Sequence, residues 1–172
     1  QRKDAAAFSA LLAGARELAA AVNSFTDSFA PRSLQQPDAG LAGMYVSGAA
    51  GFAGFAAEME RIAAAAGAEL RVAPGPKNVF RTIEKRTMVP HGTPPGRWDT
   101  VLDLFRCMVV VDGAAMDLAV LEAIASSNVL EAVRWKDRLS SPTPAGWADS
   151  MVNVRVRGGT KHVYEVQVAQ KM

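Results

Sequence analysis

The stretch from Val133 to Met172 reads VRWKDRLSSPTPAGWADSMVNVRVRGGTKHVYEVQVAQKM, and the fold turns on how it is divided. Arg134-Trp135-Lys136-Asp137-Arg138 is a basic strand end. Pro142-Thr143-Pro144-Ala145-Gly146 is a loop that sets an aromatic residue, Trp147, just beyond it. Ser150–Arg157 and His162–Ala169 then form a two-strand hairpin. Alternation with period two puts Glu165 and Gln167 on one face of the second strand and Val166 and Val168 on the other. A strand that points an acid and an amide to one side, next to a basic loop and an aromatic, looks like the wall of a site. The plainer reading is a solvated sheet face, with Trp147 as a core aromatic after a turn.

The elements before this stretch fit a sheet. Val101–Asp112, VLDLFRCMVVVD, reads as a buried central strand with a charged start. A carboxylate in an otherwise apolar strand is costly unless paired or bound to a metal. Asp103 is that carboxylate, and Arg106 is close enough to pair with it. Ala115–Ser126 is an amphipathic helix, and Val129–Lys136 is the next strand. Glu69–Ala73 is a short strand candidate, after which Pro74-Gly75-Pro76 turns the chain. Lys77–Met88 follows as a helix with Val79, Phe80 and Ile83 inward. Lys77, Arg81 and Lys85 recur every fourth residue and stack three cations on one face. That is repulsive in isolation, so either the face is solvated or something anionic compensates it, such as a phosphate chain. Val89–Asp99 is a Pro/Gly loop. Strand, helix, strand and hairpin in this order predict an α/β (α+β) fold, a mixed, mostly antiparallel sheet of about five strands flanked by helices.

Asp4–Ser24 has helical periodicity, and Phe25–Ala39 reads as a loop. Ala39–Ala57 carries no charge, but it is mostly Gly and Ala and is followed at once by Glu58, Glu60 and Arg61. We read it as part of a buried helix, about Met44–Ala66, packing through small residues, rather than as a membrane span. Such a face also suits a protein partner or a second copy of the chain. The expected organisation is an N-terminal helical segment, 1–65, on a domain of 66–172.

At 172 residues, 49% hydrophobic and 21% charged, one globular domain with a proper core is expected. Residues 1–70 hold 5 Lys/Arg against 7 Asp/Glu, a balance of −2; residues 71–172 hold 14 against 10, a balance of +4. The basic part contains the candidate site, which suits an anionic ligand, and a margin of +4 does not imply DNA. A lone Cys107 excludes an internal disulfide, and with His91 and His162 it makes a zinc site unexpected. A soluble protein of a reducing compartment, cytoplasm or organelle matrix, is the expectation. The start at Gln1 suggests a fragment or processed form.

Three motifs together resemble the synthetase domain of the RelA/SpoT (alarmone synthetase) family, a branch of the nucleotidyltransferase fold, over about residues 66–172. They are Lys136-Asp137, the x-Pro-x-Pro-x-Gly-aromatic loop Pro142–Trp147, and Glu165-Val166-Gln167. Lys77 and Lys85 match the two lysines of the family's first motif. The Arg expected two residues before Lys77 is Gly75, and a helix Ser is Arg81. The resemblance implies Mg²⁺-dependent transfer of pyrophosphate from ATP to an acceptor nucleotide. Asp103 and Glu165 would hold Mg²⁺, and Glu165 would also deprotonate the acceptor hydroxyl. Lys77, Lys85, Arg81 and Arg106 would serve ATP. Lys136 and Arg138 would bind acceptor phosphates, Trp147 would stack on the acceptor base, and Gln167 would hydrogen-bond within the site. Asp149 and Asn153 stand where the family commonly has other residues and belong to the same acceptor side. The alternative is a catalytically inactive RelA/SpoT-like domain serving as a subunit of a larger complex.

Overall fold

The computed structural model describes residues 34–37, 40–87, 98–139 and 142–171. The helix expected over Asp4–Ser24 and most of the 89–99 loop lie outside these. Helix α1 (Leu41–Ala66) leads into strand β1 (Glu69–Val72), helix α2 (Val79–Thr87) and a short 3₁₀ turn (Trp98–Thr100). Strand β2 (Arg106–Val111), helix α3 (Ala114–Ala125) and strands β3 (Leu130–Asp137), β4 (Ser150–Val156) and β5 (Tyr164–Gln170) complete the described chain. The five strands form one sheet in the order β1-β2-β5-β4-β3. Only β2 and β5 run parallel; the other three pairings are antiparallel. The mixed, mostly antiparallel five-stranded sheet expected from the sequence is therefore the observed one. The central strand is shorter than expected: 101–105 is irregular, and pairing begins at Arg106.

The charge-free run becomes α1, whose core-facing side carries Met44, Gly48, Phe55, Met59 and Ile62. It ends at Gly67, which adopts φ +70° and donates its N–H to the carbonyls of Ala63 and Ala64, a left-handed cap that glycine takes without a Cβ clash. Gly48 lets the helix lie directly against the segment before β2 and the start of β5. A Cβ there would overlap the Phe105 ring and approach His162 Nε2. Phe55 stacks on Tyr164 with ring centroids 4.7 Å apart, and Phe105 meets His162 edge-on at 5.5 Å. Tyr164 Oη donates to the Gly48 carbonyl at 2.9 Å, so its polar end is satisfied in the core. Val79 and Phe80, expected to point inward, are 44% and 79% exposed. In α2 it is Thr82 that is buried, held by Tyr45 of α1.

One irregularity sets the geometry of the sheet. Ala132 pairs with Val154, but Arg134 pairs with Asn153, so Val133 is a bulged extra residue in β3. The bulge exchanges the faces of all that follow. Trp135 turns into the core beside Val152, while Arg134 and Lys136 turn to the opposite face.

Two buried groups, Asp117 and His162, resist ionisation in the weakly acidic range. Burial pushes the Asp117 carboxyl up to about 7, with Asp137 and Asp149 nearby adding to the shift. Burial pushes the His162 imidazole down to about 4, and its Nδ1 lies 3.1 Å from Ser47 Oγ. Between pH 4 and 6.5 the unfolded His162 binds a proton that the folded one refuses, so this term raises stability as pH rises. Over about pH 4–7 the folded Asp117 keeps a proton that the unfolded one loses, so its term lowers stability as pH rises. The two slopes, each about 1.4 kcal/mol per pH unit at most, oppose each other.

Two predictions follow from these contacts. Gly48→Ala lowers the unfolding midpoint, with a cost of about 1–3 kcal/mol from overpacking. Gly54→Ala, whose nearest neighbour would be 3.9 Å away, raises it by about 0.5–1 kcal/mol through helix propensity. Denaturant titrations of the two variants decide the matter. In the same assay between pH 4 and 6.5, Asp117→Asn leaves the His162 term unopposed and shifts the slope of stability against pH upward, whereas His162→Asn leaves the Asp117 term unopposed and shifts it downward. Parallel pH profiles for all three proteins would contradict the assignment.

Candidate active site

The sheet has two faces of different character. Cys107, Val109, Trp135, Val152, Val154, Val166 and Val168 face the helices and form the core. The alternate residues make up the other face, and register assembles them into rows. Arg106 of β2 stands beside Glu165 of β5, Glu165 beside Asn153 of β4, and Asn153 beside Arg134 of β3. The next row, about 7 Å further along the strands, is Arg71, Met108, Gln167, Met151 and Lys136. The sheet thus brings Glu165, Asn153, Gln167, Arg106 and Lys136 onto one face.

Glu165 is 8% exposed and Asn153 is fully buried. The carboxylate has cations on both sides, since Arg106 is its neighbour in β2 and Arg134 feels its charge across Asn153. Burial lowers the Arg134 guanidinium and the charge of Glu165 raises it. Asn153 reaches the Tyr164 carbonyl only weakly, at 3.5 Å, and its Oδ1 has no hydrogen-bond partner among the described residues. A buried amide oxygen left unmatched beside a carboxylate is a group prepared for a donor. Cys107 sits one residue from this row but on the core side, and burial pushes its thiol up to about 12. It supplies no thiolate at neutral pH.

Asp103 lies three residues before Arg106, at the end of the sheet where β2 and β5 begin, and is 7% exposed. Its Oδ2 accepts from Lys77 Nζ at 2.7 Å. The backbone fixes this pairing as well, because Lys77 N–H donates to the Leu104 carbonyl at 2.7 Å. Arg81 lies on the solvent side of α2, paired with Glu84 at 2.5 Å. Lys85 is in the same helix, and its side chain is not among those described.

The β3–β4 loop closes the other end. Arg138 and Asp149 meet across its base. The guanidinium donates to Asp149 Oδ2 at 2.9 Å, Nε lies 2.6 Å from Oδ1, and Arg138 N–H reaches the Asp149 carbonyl at 3.0 Å. Asp149 is fully buried, so this pair has little water to weaken it. Thr143 and Trp147 exchange hydrogen bonds through N–H and Oγ1, and Gly146 supplies the φ of +80° that the turn needs. Trp147 is left 42% exposed. Two residues expected on the acceptor side therefore hold each other and brace the loop that presents the third.

Asp103 and Glu165 are buried carboxylates at the starts of neighbouring strands. The two carboxylates are hard oxygen donors of the type that Mg²⁺ takes. Among the described residues no three His, Cys, Asp or Glu side chains gather into a cage. Mg²⁺ is commonly held by one or two carboxylates, with phosphate oxygens and water completing the octahedron. Arg134 is the residue of this face that sequence reasoning passed over. Its presence there depends on the bulge at Val133, which no local pattern announces.

No family model matches the sequence, and no curated protein matches it. Solved structures do. The chain is similar to a crystal structure of the Type VI effector Tas1 in complex with its immunity protein. The TM-score is 0.56 at 19% identity, over 76% of this chain and 61% of that one. Small alarmone synthetase 2 from Bacillus subtilis gives 0.54 at 12% identity, over 73% and 70%. A GTP pyrophosphokinase family protein from Streptococcus pneumoniae gives 0.51 at 14%, over 59% and 51%. The chain thus spans about three fifths of the first of these and half of the last. Among the described residues no helix is long and apolar enough to cross a membrane. The sheet order, the single parallel pair among the described strands and these likenesses give one result: the chain shares its fold with the small alarmone synthetases.

Proposed function

We propose that this domain transfers pyrophosphate from ATP to a hydroxyl of an acceptor nucleotide. The observation that carries the reading is the row Arg106, Glu165, Asn153, Arg134, in which a buried carboxylate is flanked by cations and by an amide oxygen that has no partner among the described residues. In such a transfer the acceptor oxygen bonds to the β-phosphorus of ATP. The bond from that phosphorus to the bridging oxygen of the α-phosphate breaks, and AMP leaves. The acceptor proton passes to Glu165. Asn153 Oδ1 would take a hydrogen bond from a neighbouring hydroxyl and orient the acceptor. Arg106, Lys77 and Lys85 would neutralise the triphosphate, and Lys136 with Arg134 the acceptor phosphates. Trp147 would stack on the acceptor base. Mg²⁺, held by Asp103 and Glu165, would neutralise charge on the transferring group. Positioning and charge neutralisation are most of what such a transfer requires.

A second reading has two specific observations in its favour. Arg138 and Asp149 are committed to each other, and Phe80 stands 79% exposed on α2. A catalytically inactive module that uses this fold to contact another protein would tolerate both.

Incubating the chain with ATP, Mg²⁺ and a panel of nucleotides, with products weighed by mass spectrometry, tests the proposal. A product heavier than its acceptor by one pyrophosphoryl group, with AMP released in equal amount, is expected. Glu165→Gln lowers the rate at least about 100-fold, because the amide neither accepts the proton nor carries the charge, while ATP still binds. Trp147→Ala weakens acceptor binding by about 1–3 kcal/mol, as lost base stacking does, and leaves ATP binding unchanged. Absence of nucleotide binding in the unmodified chain would favour the accessory-module reading.

A further inference from the structure

Gln36 stands just before α1, in a stretch with no motif, and is 5% exposed. Its side-chain amide donates to the Val101 carbonyl at 3.1 Å and to the Val163 carbonyl at 3.0 Å. Its Oε1 accepts from the Val163 N–H at 2.8 Å. Its own N–H donates to the Asp99 carbonyl at 2.7 Å. With two carbonyls and one N–H as partners, only one orientation of the amide satisfies the network.

The partners are informative. Val101 is two residues before Asp103, and Val163 is two residues before Glu165. Neither segment is yet paired as a strand at these points: β2 begins at Arg106 and β5 at Tyr164. The ladder between them starts with the Glu165 N–H donating to the Phe105 carbonyl at 3.1 Å. Upstream of that bond Gln36 bridges the two segments from the side, where a direct backbone pairing is absent. Val101 and Val163 are buried, so water cannot take its place without opening the core.

We infer that Gln36 is a positioning residue that fixes the separation of the Asp103 and Glu165 carboxylates by clamping the backbone two residues before each. The inference rests on the reading of those carboxylates as a shared Mg²⁺ site. Residues that orient metal ligands from behind change metal affinity about 10–100-fold when removed. The Gln36 side chain touches neither carboxylate and acts only through the chain that carries them.

Gln36→Met keeps the length and volume of the side chain and removes all three of its hydrogen bonds. Two measurements on the full chain separate the outcomes. The first is amide hydrogen exchange without ligand. Protection of the Glu165 N–H is expected to fall about 10-fold or more, while the β3–β4 amides keep theirs. The second is Mn²⁺ binding in the presence of a non-hydrolysable ATP analogue, followed by electron paramagnetic resonance. The affinity is expected to fall about 10-fold, with the metal-free affinity for the analogue unchanged. Unchanged Glu165 protection, or an even loss of protection through the whole sheet, overturns the clamp. A local loss of protection with unchanged Mn²⁺ affinity overturns its link to the carboxylates. Failure of the unmodified chain to take up Mn²⁺ with the analogue strikes the proposed function, and with it that link, while the exchange result still decides the clamp.

Discussion

The parallel contact between β2 and β5 is the constraint on which the remaining arrangement depends. Parallel neighbours cannot be joined by a tight turn, so the chain must leave the sheet and return. Here it leaves through α3 and returns by way of β3 and β4. Inserting β5 between β2 and β4 then places Glu165 at the centre of a row, with a cation from β2 on one side and an amide from β4 on the other. An edge position for β5 would leave Glu165 in water, where its charge would be screened. The α1 helix makes the insertion favourable on the reverse face, where Gly48 admits Phe105 and His162 and Phe55 stacks on Tyr164.

The bulge at Val133 complements that contact. Without it Val133 would oppose Asn153, and Arg134 and Lys136 would point into the core against Val152 and Ser150. One extra residue resolves the conflict. It sends the aromatic inward and two cations toward the acid-bearing face, and it does so before the strand reaches the loop that carries Trp147. The price is a single interruption of an edge strand, where only one ladder is affected.

Much of this was legible in the sequence, for physical reasons. Val166 and Val168 alternate with Glu165 and Gln167 because the sheet is apolar on one face and polar on the other, so period two exposes both the strand and the orientation of its acid. The Gly-Ala-rich helix was legible because nothing else without charge and with Glu58 and Arg61 at its end suits a core. Three things were not. Val79 and Phe80 looked like a buried helix face, yet α2 is seated by Thr82 and its bond to Tyr45, a tertiary contact that propensity does not encode. The irregular course of 101–105 is set by Gln36 and Lys77 from distant parts of the chain. Arg134 joined the site only through a bulge. Local pattern reports what a residue's own strand requires; register and long-range side-chain bonds decide which strands meet.

The same division explains why the end of the sheet that carries the β3–β4 loop is the harder part to read. Lys136, Arg138, Trp147 and Asp149 are close in sequence and all look suited to a ligand. The fold assigns them different work. Lys136 lies on the polar face in line with Gln167. Arg138 and the buried Asp149 neutralise one another where the loop leaves the sheet, so neither charge is free to be matched by a phosphate without leaving the other uncompensated in the interior. Trp147 projects from the loop they brace. A residue that holds a binding surface in place and a residue that belongs to it can carry the same side chain, and burial of the partner is what tells them apart.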